Sequence, residues 1–471
     1  MKSSEAPPQI VEKRCVGSAS LGLFCLAPLR GPRRADFARW GGLRGAVLIA
    51  VLLLGLSKHA GAQGVDGYVS LMADVFPDVQ FDPDESGSVA ELRTRLLLEK
   101  RFDIGNRIKL TAAGFVDGLL GRRRGEAATD AVLRARELHV EASWEKADLR
   151  LGLSRVVWGR LDEFLPTDVV NPLDLSKFFL EGRSEARIPV AMIRARAVPS
   201  DRFTLEGLYV PFFTRGRFDE LDEHTSPFNI APASTCALGS APPCIDLPLR
   251  SSRPVTASAQ GGMRANVTTG RVDWSVSAYR GFESLPVYEA ELPASPELSP
   301  VVKERFPRFT MFGGDFETVS GEWGLRGEVA VFTDRTLQAI DQPVLADGSA
   351  VEAGVGVDRR TGAYRVSGSI IATRRWTKDQ GVPERPPIDR EDVTLVVAVD
   401  RSFARETTTL RVFAVYNPNE ASAFARVISM WSLRDNVAFE ASTGWFTGDG
   451  VEALSRFATR DFLYGRLKVF F

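Results

Sequence analysis

Short segments in which apolar and polar residues alternate recur through most of the chain, from about residue 67 to the last residue. In ELRTRLLLEKRF, residues 91–102, charged side chains occupy one set of alternate positions, and most of the residues between them are apolar. Alternation with a period of two indicates a β-strand whose two faces meet different surroundings. Charges opposite aliphatic residues suit a strand with one face in water and one in lipid. The pattern therefore predicts an all-β membrane protein.

The number and spacing of these segments predict a closed barrel. We count about 18 strands, with 16 as the alternative if the segment that begins at Gly67 does not pair, since single-chain bacterial barrels have an even number. Short turns such as Asp103–Asn106 and Ser320-Gly321 fall at every second junction. The other junctions are long: Gly118–Asp130, Trp158–Arg187, Thr214–Arg253, Glu283–Lys303, Asp334–Ala350 and Arg375–Asp392. This asymmetry is typical of a single-chain transmembrane antiparallel β-barrel with short periplasmic turns and long outer loops.

Residues 1–62 are predicted to be a leader that contains a secretory signal peptide. The run from Ala46 to Leu56 is apolar and too short to span a bilayer, and basic residues precede it. Ala60-Gly61-Ala62 follows as a small-residue cleavage site. Cleavage after Ala62 leaves residues 63–471 as the barrel. Retention of the run as a membrane anchor is the alternative.

The stretch from Trp158 to Pro189 interrupts the alternation and is predicted to be a folded, partly helical insert. Asn171 is placed to cap a helix, Pro172 fits its first position, Asp174 lies in its first turn, and Gly182 can end it. The insert is rich in acidic residues, so a basic lumen would draw it inward as a plug or constriction. An exposed outer loop is the alternative. The residues expected to build the constriction are Trp158, Asp162, Asp168, Asn171, Asp174, Phe178 and Arg187.

If the aliphatic face of each strand contacts lipid, many arginines on the opposite face point into the lumen. The reverse arrangement would be costly, because exposing an Arg or Lys side chain to lipid at the bilayer midplane costs roughly 2–4 kcal/mol. The expected pore-lining residues are Arg93, Arg95, Arg107, Arg150, Arg264, Arg326, Arg365, Arg411 and Arg426. Two interpretations stay open. Unpaired arginines would bias a water-filled lumen toward anions or acidic head groups, whereas pairing with acids on neighbouring strands would only stiffen the wall.

Composition and motifs exclude several classes of function. The formal net charge is -1, which gives no sign of a nucleic-acid partner. His139 and His224 lie in separate segments, and no catalytic or phosphate-binding motif accompanies them. We therefore expect no enzyme, no cofactor and no metal site. Cys236 and Cys244 flank a short loop and are expected to form a disulfide in an oxidising compartment.

Residues around the insert carry a resemblance to a known group of proteins. The succession that carries it is Trp158-Gly159, Asp162, Asp168, Asn171-Pro172, Asp174, Arg187-Ile188-Pro189-Val190 and Met192, with Tyr209, Pro211 and Phe212 beyond. This succession resembles an uncharacterised family of proteobacterial outer-membrane β-barrel proteins over roughly residues 149–213. The resemblance implies an outer-membrane protein with no established substrate, of a type discussed alongside systems that move lipids or hydrophobic compounds.

The sequence thus predicts an outer-membrane channel or transporter for small or amphipathic solutes, with an arginine-rich lumen narrowed by residues 158–189. The alternative is a structural or assembly platform without transport activity. The expected location is the outer membrane of a Gram-negative bacterium. The expected partners are outer-membrane lipid, a small solute or lipid-like ligand, and the barrel-assembly machinery, which would read the C-terminal Phe471.

Overall fold

The computed structural model describes residues 64–82, 85–123, 126–217, 227–228, 249–251, 258–291, 301–338, 345–378, 390–448 and 454–471, and every structural statement below concerns these residues. Within them, an 18-stranded antiparallel sheet closes into a barrel in which each strand pairs with its neighbours along the chain. The barrel strands are β1 (Asp66–Asp82), β2 (Glu85–Ile104), β3 (Ile108–Arg123), β4 (Glu126–Ser143), β5 (Ala147–Ser154), β6 (Val190–Ser200), β7 (Phe203–Val210), β9 (Gln260–Thr269), β10 (Val272–Phe282), β13 (Arg308–Ser320), β14 (Trp323–Gln338), β15 (Leu345–Thr361), β16 (Tyr364–Thr377), β17 (Arg390–Phe403), β18 (Thr408–Asn417), β19 (Ser422–Arg434), β20 (Val437–Thr447) and β21 (Phe462–Phe470).

The first and last strands close the ring. Strand β1 pairs with both β2 and β21, and Tyr68 lies opposite Phe470. The backbone N–H of Gly67 also donates to the carbonyl oxygen of Phe471 at 3.0 Å. The segment that begins at Gly67 is therefore a paired strand, and the prediction of 18 strands is confirmed over the alternative of 16.

Short turns join the strands at the end of the barrel where the chain termini meet, as the sequence predicts. At Gly321 (φ 62°) and Gly362 (φ 59°) the backbone adopts the left-handed conformation that tight hairpin turns need and that a side chain would strain. The turn predicted at Ser320-Gly321 is confirmed, since β13 ends at Ser320 and β14 begins at Trp323.

Several strands run further toward the opposite end than the alternation predicts. Strand β3 continues to Arg123 and β4 begins at Glu126, so the long loop predicted at Gly118–Asp130 is wrong. The loop predicted at Asp334–Ala350 is also too long, because β14 and β15 extend into it. Beyond the lipid both faces of a strand meet water, so backbone pairing continues there without a period-2 apolar pattern.

A second, three-stranded sheet lies in the long connections. It comprises β8 (Leu249–Ser251), β11 (Val287–Glu291) and β12 (Val301–Arg305), with β8 parallel to β12. The sequence predicts loops here, because strands of three to five residues show too few alternations to be recognised.

Large apolar side chains cover the outer face of the barrel. Leu98 is 44% exposed, Val276 65% and Ile370 57%, although each lies in the middle of a long strand. Isolated apolar residues on a surface need no explanation, but a belt of them around a closed sheet suits contact with lipid. The predicted assignment of aliphatic faces to the outside is therefore confirmed. No α-helix in the described ranges is long and apolar enough to cross a membrane.

The insert between β5 and β6 contains two short helices, α1 (Leu175–Glu181) and α2 (Arg183–Ala186). Gly182, with φ 81°, ends α1 as predicted. The predicted start at Pro172 is wrong, because Leu173 forms a β-bridge with Arg187 and Asp174 forms one with Arg217. These bridges hold the backbone extended until Leu175.

Candidate functional site

The insert binds inward-facing side chains on strands all around the barrel. The pairs, with donor first, are Arg95–Glu181 (2.6 Å), Lys177–Asp117 (2.9 Å), Arg134–Asp174 (3.2 Å), Arg136–Glu185 (2.7 Å), Trp158–Glu206 (2.9 Å), Arg160–Asp315 (2.7 Å), Arg326–Asp162 (3.1 Å) and Arg411–Glu163 (3.2 Å). The wall partners belong to β2, β3, β4, β7, β13, β14 and β18. A single segment can contact strands on opposite sides of a closed barrel only by crossing the barrel interior. The insert therefore extends from one side of the lumen to the other.

Wall glycines leave room for side chains of the insert. A Cβ atom at Gly354 would lie 2.6 Å from Leu161 Cδ1, and one at Gly313 would lie 2.7 Å from Thr167 Cγ2. Non-bonded carbon atoms pack at about 3.5–4.0 Å, so neither position tolerates a side chain without a shift. The insert therefore docks by fitting Leu161 and Thr167 into gaps in the wall.

One wall carboxylate, that of Glu328 on β14, holds the start of the insert. It accepts hydrogen bonds from the backbone N–H groups of Arg160 and Leu161, the latter at 2.9 Å, and from the Thr167 hydroxyl at 3.3 Å. Gly159, with φ 92°, brings the backbone close to the carboxylate, where a Cβ would lie 2.3 Å from its oxygen. Glu328 is thus an anchor that the sequence analysis did not assign to the site, since alternation alone shows only an inward-facing acid.

In some ion pairs between the insert and the wall the insert supplies the acid, and in others it supplies the base. The acid Glu181 meets the wall residue Arg95, as an acidic insert in a basic lumen requires. In the opposite sense, the insert residue Arg160 meets the wall acid Asp315. The expected attraction of an acidic insert to a basic wall therefore accounts for only part of the docking.

Burial and neighbouring charges shift the pKa values of three insert side chains. Burial raises the pKa of the Glu163 carboxyl, although Arg411 opposes the shift. Burial lowers the pKa of the Lys177 amine, with a further contribution from Arg95. Burial would also raise the pKa of Glu181, but Arg95 and Lys177 together hold it well below the usual 4.5.

Asn171 joins the two ends of the insert and does not cap a helix. Its side-chain oxygen accepts from Val156 N–H at 2.7 Å, and its amide donates to the carbonyl oxygens of Ser154 (3.2 Å) and Ile188 (2.8 Å). The predicted capping role is wrong, because α1 begins four residues later, after the bridge at Leu173.

Asp168 and Arg187, two further residues of the predicted site, pair within the insert. Arg187 donates to Asp168 at 2.7 Å, and Arg183 donates to the same carboxylate oxygen at 3.1 Å. The Asp168 side chain is almost fully buried. These ion pairs tie the segment before α1 to α2 and the residue after it, and so brace the insert internally.

Helix α1 is fixed by an aromatic cluster that we call the Phe179 cluster. The Phe179 ring lies 4.8 to 5.4 Å, between centroids, from five other rings: Phe178, Phe228, Phe424, Phe446 and Phe457. Its carbonyl oxygen also accepts from Arg426 at 2.7 Å. The predicted site includes Phe178 but not Phe179, which carries more of the packing. The role of Phe179 could not be predicted from β19 and β20. Their rings in the cluster, Phe424 and Phe446, lie on the inward face, where the alternation predicts polar residues.

Most of the predicted lumen arginines pair with carboxylates. The pairs within the wall are Arg93–Asp74 (2.7 Å), Arg95–Asp117 (2.5 Å), Arg150–Glu141 (2.5 Å), Arg264–Asp315 (2.8 Å), Arg326–Glu317 (3.0 Å), Arg365–Asp358 (3.7 Å), Arg411–Asp400 (3.8 Å) and Arg426–Glu440 (4.0 Å). Arg107 differs, since it lies exposed in the turn between β2 and β3. This pairing favours the interpretation of a cross-braced wall over an unpaired surplus of positive charge.

A cavity of about 290 Å³ lies between the insert and the wall from β10 to β17. Apolar side chains of both partners line it, among them Phe164 and Leu165 of the insert and Phe309 and Phe332 of the wall. Its charged lining residues are Asp168, Arg183, Glu283, Arg335 and Glu352. The cavity could not be predicted from the sequence, because its walls come from segments far apart in the chain.

The remaining residues considered in the sequence are the histidines, the cysteines and any possible metal ligands. His139 is buried with its Nδ1 atom 3.8 Å from a carboxylate oxygen of Glu137, which Arg155 also contacts. Among the described residues, no group of three or more His, Cys, Asp or Glu side chains is placed to hold a metal ion. His224, Cys236, Cys244 and the predicted signal peptide lie outside the described residues.

Several solved outer-membrane proteins resemble this fold at low sequence identity. OccAB4 of Acinetobacter baumannii matches with 11% identity and a TM-score of 0.47, over 86% of this chain and 97% of that chain. OccK1 of Pseudomonas aeruginosa matches with 11% identity and a TM-score of 0.46, over 87% and 98%. A BenF-like porin from Pseudomonas fluorescens Pf-5 matches with 10% identity and a TM-score of 0.48, over 87% and 97%. At these values the likenesses carry no argument about function.

No curated protein is significantly similar to the chain. Residues 114–467 match the model of the family described as "Protein of unknown function (DUF1302)". The match includes the insert and the strands on either side of it, but the residue pattern from Trp158 to Met192 stays a prediction as a family signature. Because the match spans well over half of the sequence, this chain belongs to the DUF1302 family.

Proposed function

We propose that this protein is an outer-membrane channel for small or amphipathic solutes, and that residues 158–189 narrow its lumen. The single observation that carries the proposal is the position of the insert's partners, which lie on strands around the whole ring. A segment anchored in this way reduces the cross-section open to solutes, while the cavity beside it leaves space for one.

Two features support a location in the bacterial outer membrane. The apolar outer belt suits the hydrocarbon of a bacterial outer membrane, with its lipid as the immediate partner. The C-terminal Phe471 follows the last barrel strand, and we propose that the barrel-assembly machinery reads this end. The proposal predicts that the protein fractionates with outer membranes on a density gradient and that removal of Phe471 reduces its amount there.

The test of transport is the permeability of liposomes that contain the purified protein. Osmotic swelling in a size series of neutral sugars and in hydroxylated aromatic compounds should show uptake of the small solutes and exclusion of larger ones. The Arg359→Gln variant is a matched control, because Arg359 and its partner Glu322 are about half exposed at the short-turn end. It should leave the swelling rate unchanged.

A second candidate function is a structural or assembly platform without transport. The ion pairs that brace the insert to the wall favour it, since a rigid, filled barrel also suits a scaffold. Swelling no faster than in protein-free liposomes, for every solute in the series, would support the platform and contradict the channel.

A further inference from the structure

We propose that the cavity between the insert and the wall from β10 to β17 binds a small neutral amphipathic molecule, one with an apolar ring system and a hydroxyl group. This rests on the proposed function, since it names the solute class that the channel would select. We call the cavity the insert cavity.

Apolar surface on two sides of the insert cavity favours a ring system. The rings of Phe309 and Phe332 lie 5.6 Å apart on adjacent wall strands. Phe164 and Leu165 contribute apolar surface from the insert. Aromatic side chains supply large apolar contact area and favour stacked or edge-on contact with other rings. A flat apolar ligand held between these two surfaces would therefore exclude water from both.

Each charged side chain that lines the insert cavity already has a partner of opposite sign, and the count is three carboxylates to three guanidinium groups once Arg187, which also binds Asp168, is included. Arg335 donates to Glu283 at 2.8 Å and to Glu352 at 2.6 Å. Arg183 donates to Asp168 at 3.1 Å. An ionised ligand would have to give up its hydration without finding a free counter-ion, which is costly in a partly buried site. The arrangement therefore discriminates against both anions and cations.

Hydroxyl groups on the lining suit a polar but uncharged ligand group. Ser284, Thr373 and Thr394 are among the residues that line the insert cavity, and each carries a hydroxyl group. A hydroxyl can both donate and accept, so it can pair with a ligand hydroxyl in either sense. The volume of about 290 Å³ lies at the small end of ligand sites. Together these features fit a molecule of about two fused rings with a hydroxyl group.

The test uses three probes of nearly equal size and different charge: 1-naphthol, 1-naphthoate and 1-naphthylmethylammonium. Titration calorimetry with the detergent-solubilised protein at neutral pH, against a micelle-only blank, should show saturable binding of 1-naphthol at least about tenfold tighter than either ion. Equal or tighter binding of an ion, or no saturable binding of 1-naphthol, would overturn the proposal.

Two variants on one strand locate the binding. Thr394→Phe fills the insert cavity, whereas Ser402→Phe adds the same ring on the same face of β17 at its short-turn end. We expect Thr394→Phe to abolish 1-naphthol binding and Ser402→Phe to leave it unchanged. Equal loss in both variants would contradict the site. Heat-modified mobility on gels verifies that each barrel is folded.

The Arg335→Met variant tests whether charge pairing at the insert cavity excludes ionised ligands. Arg335→Met leaves Glu283 and Glu352 without their shared cation. We expect the preference to shift by about tenfold or more toward 1-naphthylmethylammonium. An unchanged order of affinities in a folded Arg335→Met barrel would contradict the role of charge pairing.

Binding and transport are measured separately, so their failures differ. A barrel that binds 1-naphthol but gives no liposome swelling contradicts the channel and keeps the insert cavity as a binding site. A barrel that conducts solutes but does not bind 1-naphthol contradicts the insert cavity alone.

Discussion

The insert packs closely against the barrel wall on one side and borders a cavity on the other. On the helix side, α1 (Leu175–Glu181) is enclosed by the Phe179 cluster and by ion pairs to β2 and β3. On the cavity side, residues 161–173 bind the wall residues Glu328, Arg326 and Arg411 and leave the insert cavity of about 290 Å³ beside them. Both sides hold the insert in place, but only the cavity side leaves an open volume between the insert and the wall.

Attraction between opposite charges alone does not determine where the insert lies in the barrel. Apolar contacts dominate on the helix side, where Phe179 is buried among rings from two wall strands and two connections. On the cavity side, the backbone of the insert is held by one carboxylate, Glu328, and by the fit of Leu161 beside Gly354. Disrupting each side separately should therefore give different results.

The largest effect is expected from Phe179→Ala. Removing a ring from a packed apolar cluster costs about 3–5 kcal/mol, here in the docking of α1. Trypsin should then cleave at Lys177 in the folded barrel, where the wild-type residue is buried, and 1-naphthol binding on the cavity side should persist. Phe312→Ala is the control, because Phe312 is 52% exposed on the outer face. Protection of Lys177 in the Phe179→Ala barrel would show that the cluster does not hold the helix.

A smaller effect is expected from Glu328→Ala on the cavity side. The change leaves the buried N–H groups of Arg160 and Leu161 without their acceptor, at a cost of about 1–3 kcal/mol. We expect weaker 1-naphthol binding, with Lys177 still protected from trypsin. The matched control is Glu322→Ala, which removes an exposed carboxylate at the short-turn end. Equal loss of binding in both variants would contradict the anchoring role of Glu328.

Gly354→Val tests the fit of the insert into the wall. Its Cβ would lie 2.6 Å from Leu161 Cδ1, so Leu161 must move, at a cost of about 1–3 kcal/mol for overpacking. The same change at Gly368, where only one backbone oxygen lies within 4 Å, should cost little. We expect reduced 1-naphthol binding for Gly354→Val only. Indistinguishable variants would mean that the gap at Gly354 is incidental.

The smallest effect is expected from pH on the helix side. The pKa of Glu181 is held below its usual 4.5, so its ion pairs contribute fully above that value and weaken as pH falls toward the lowered pKa. An acid-stable protease should therefore cleave the insert faster at pH 3 than at pH 5 in the wild type. In Glu181→Gln the difference between the two pH values should shrink, and an undiminished difference would assign it to other groups.

The architecture could be predicted from the sequence because alternation reports which face of a strand meets lipid. The strand from Gly67, the short turns and the outward aliphatic faces are all confirmed on that basis. The extensions of β3 and β4 could not be predicted in the same way, since a strand with water on both faces has no alternation to read.

The candidate site was harder to predict, because its contacts join residues far apart in the chain. The break in alternation located the insert, but the roles of Phe179 and Glu328 depend on partners more than 150 residues away. The helix start predicted at Pro172 failed because a tertiary bridge at Leu173 overrides local capping preferences.

The most direct test of the central claim is the single-channel conductance of a barrel without the middle of its insert. Residues 161–182 are replaced by a short Gly-Ser linker, and the folded variant is compared with the wild type in planar bilayers at equal salt. The account predicts a clear increase in conductance, because the segment crosses the lumen between wall partners on opposite sides. If the deletion variant does not fold, the Phe179→Ala/Glu328→Ala double variant carries the same test. Wild-type conductance in the folded variant would contradict the claim that the insert narrows the channel.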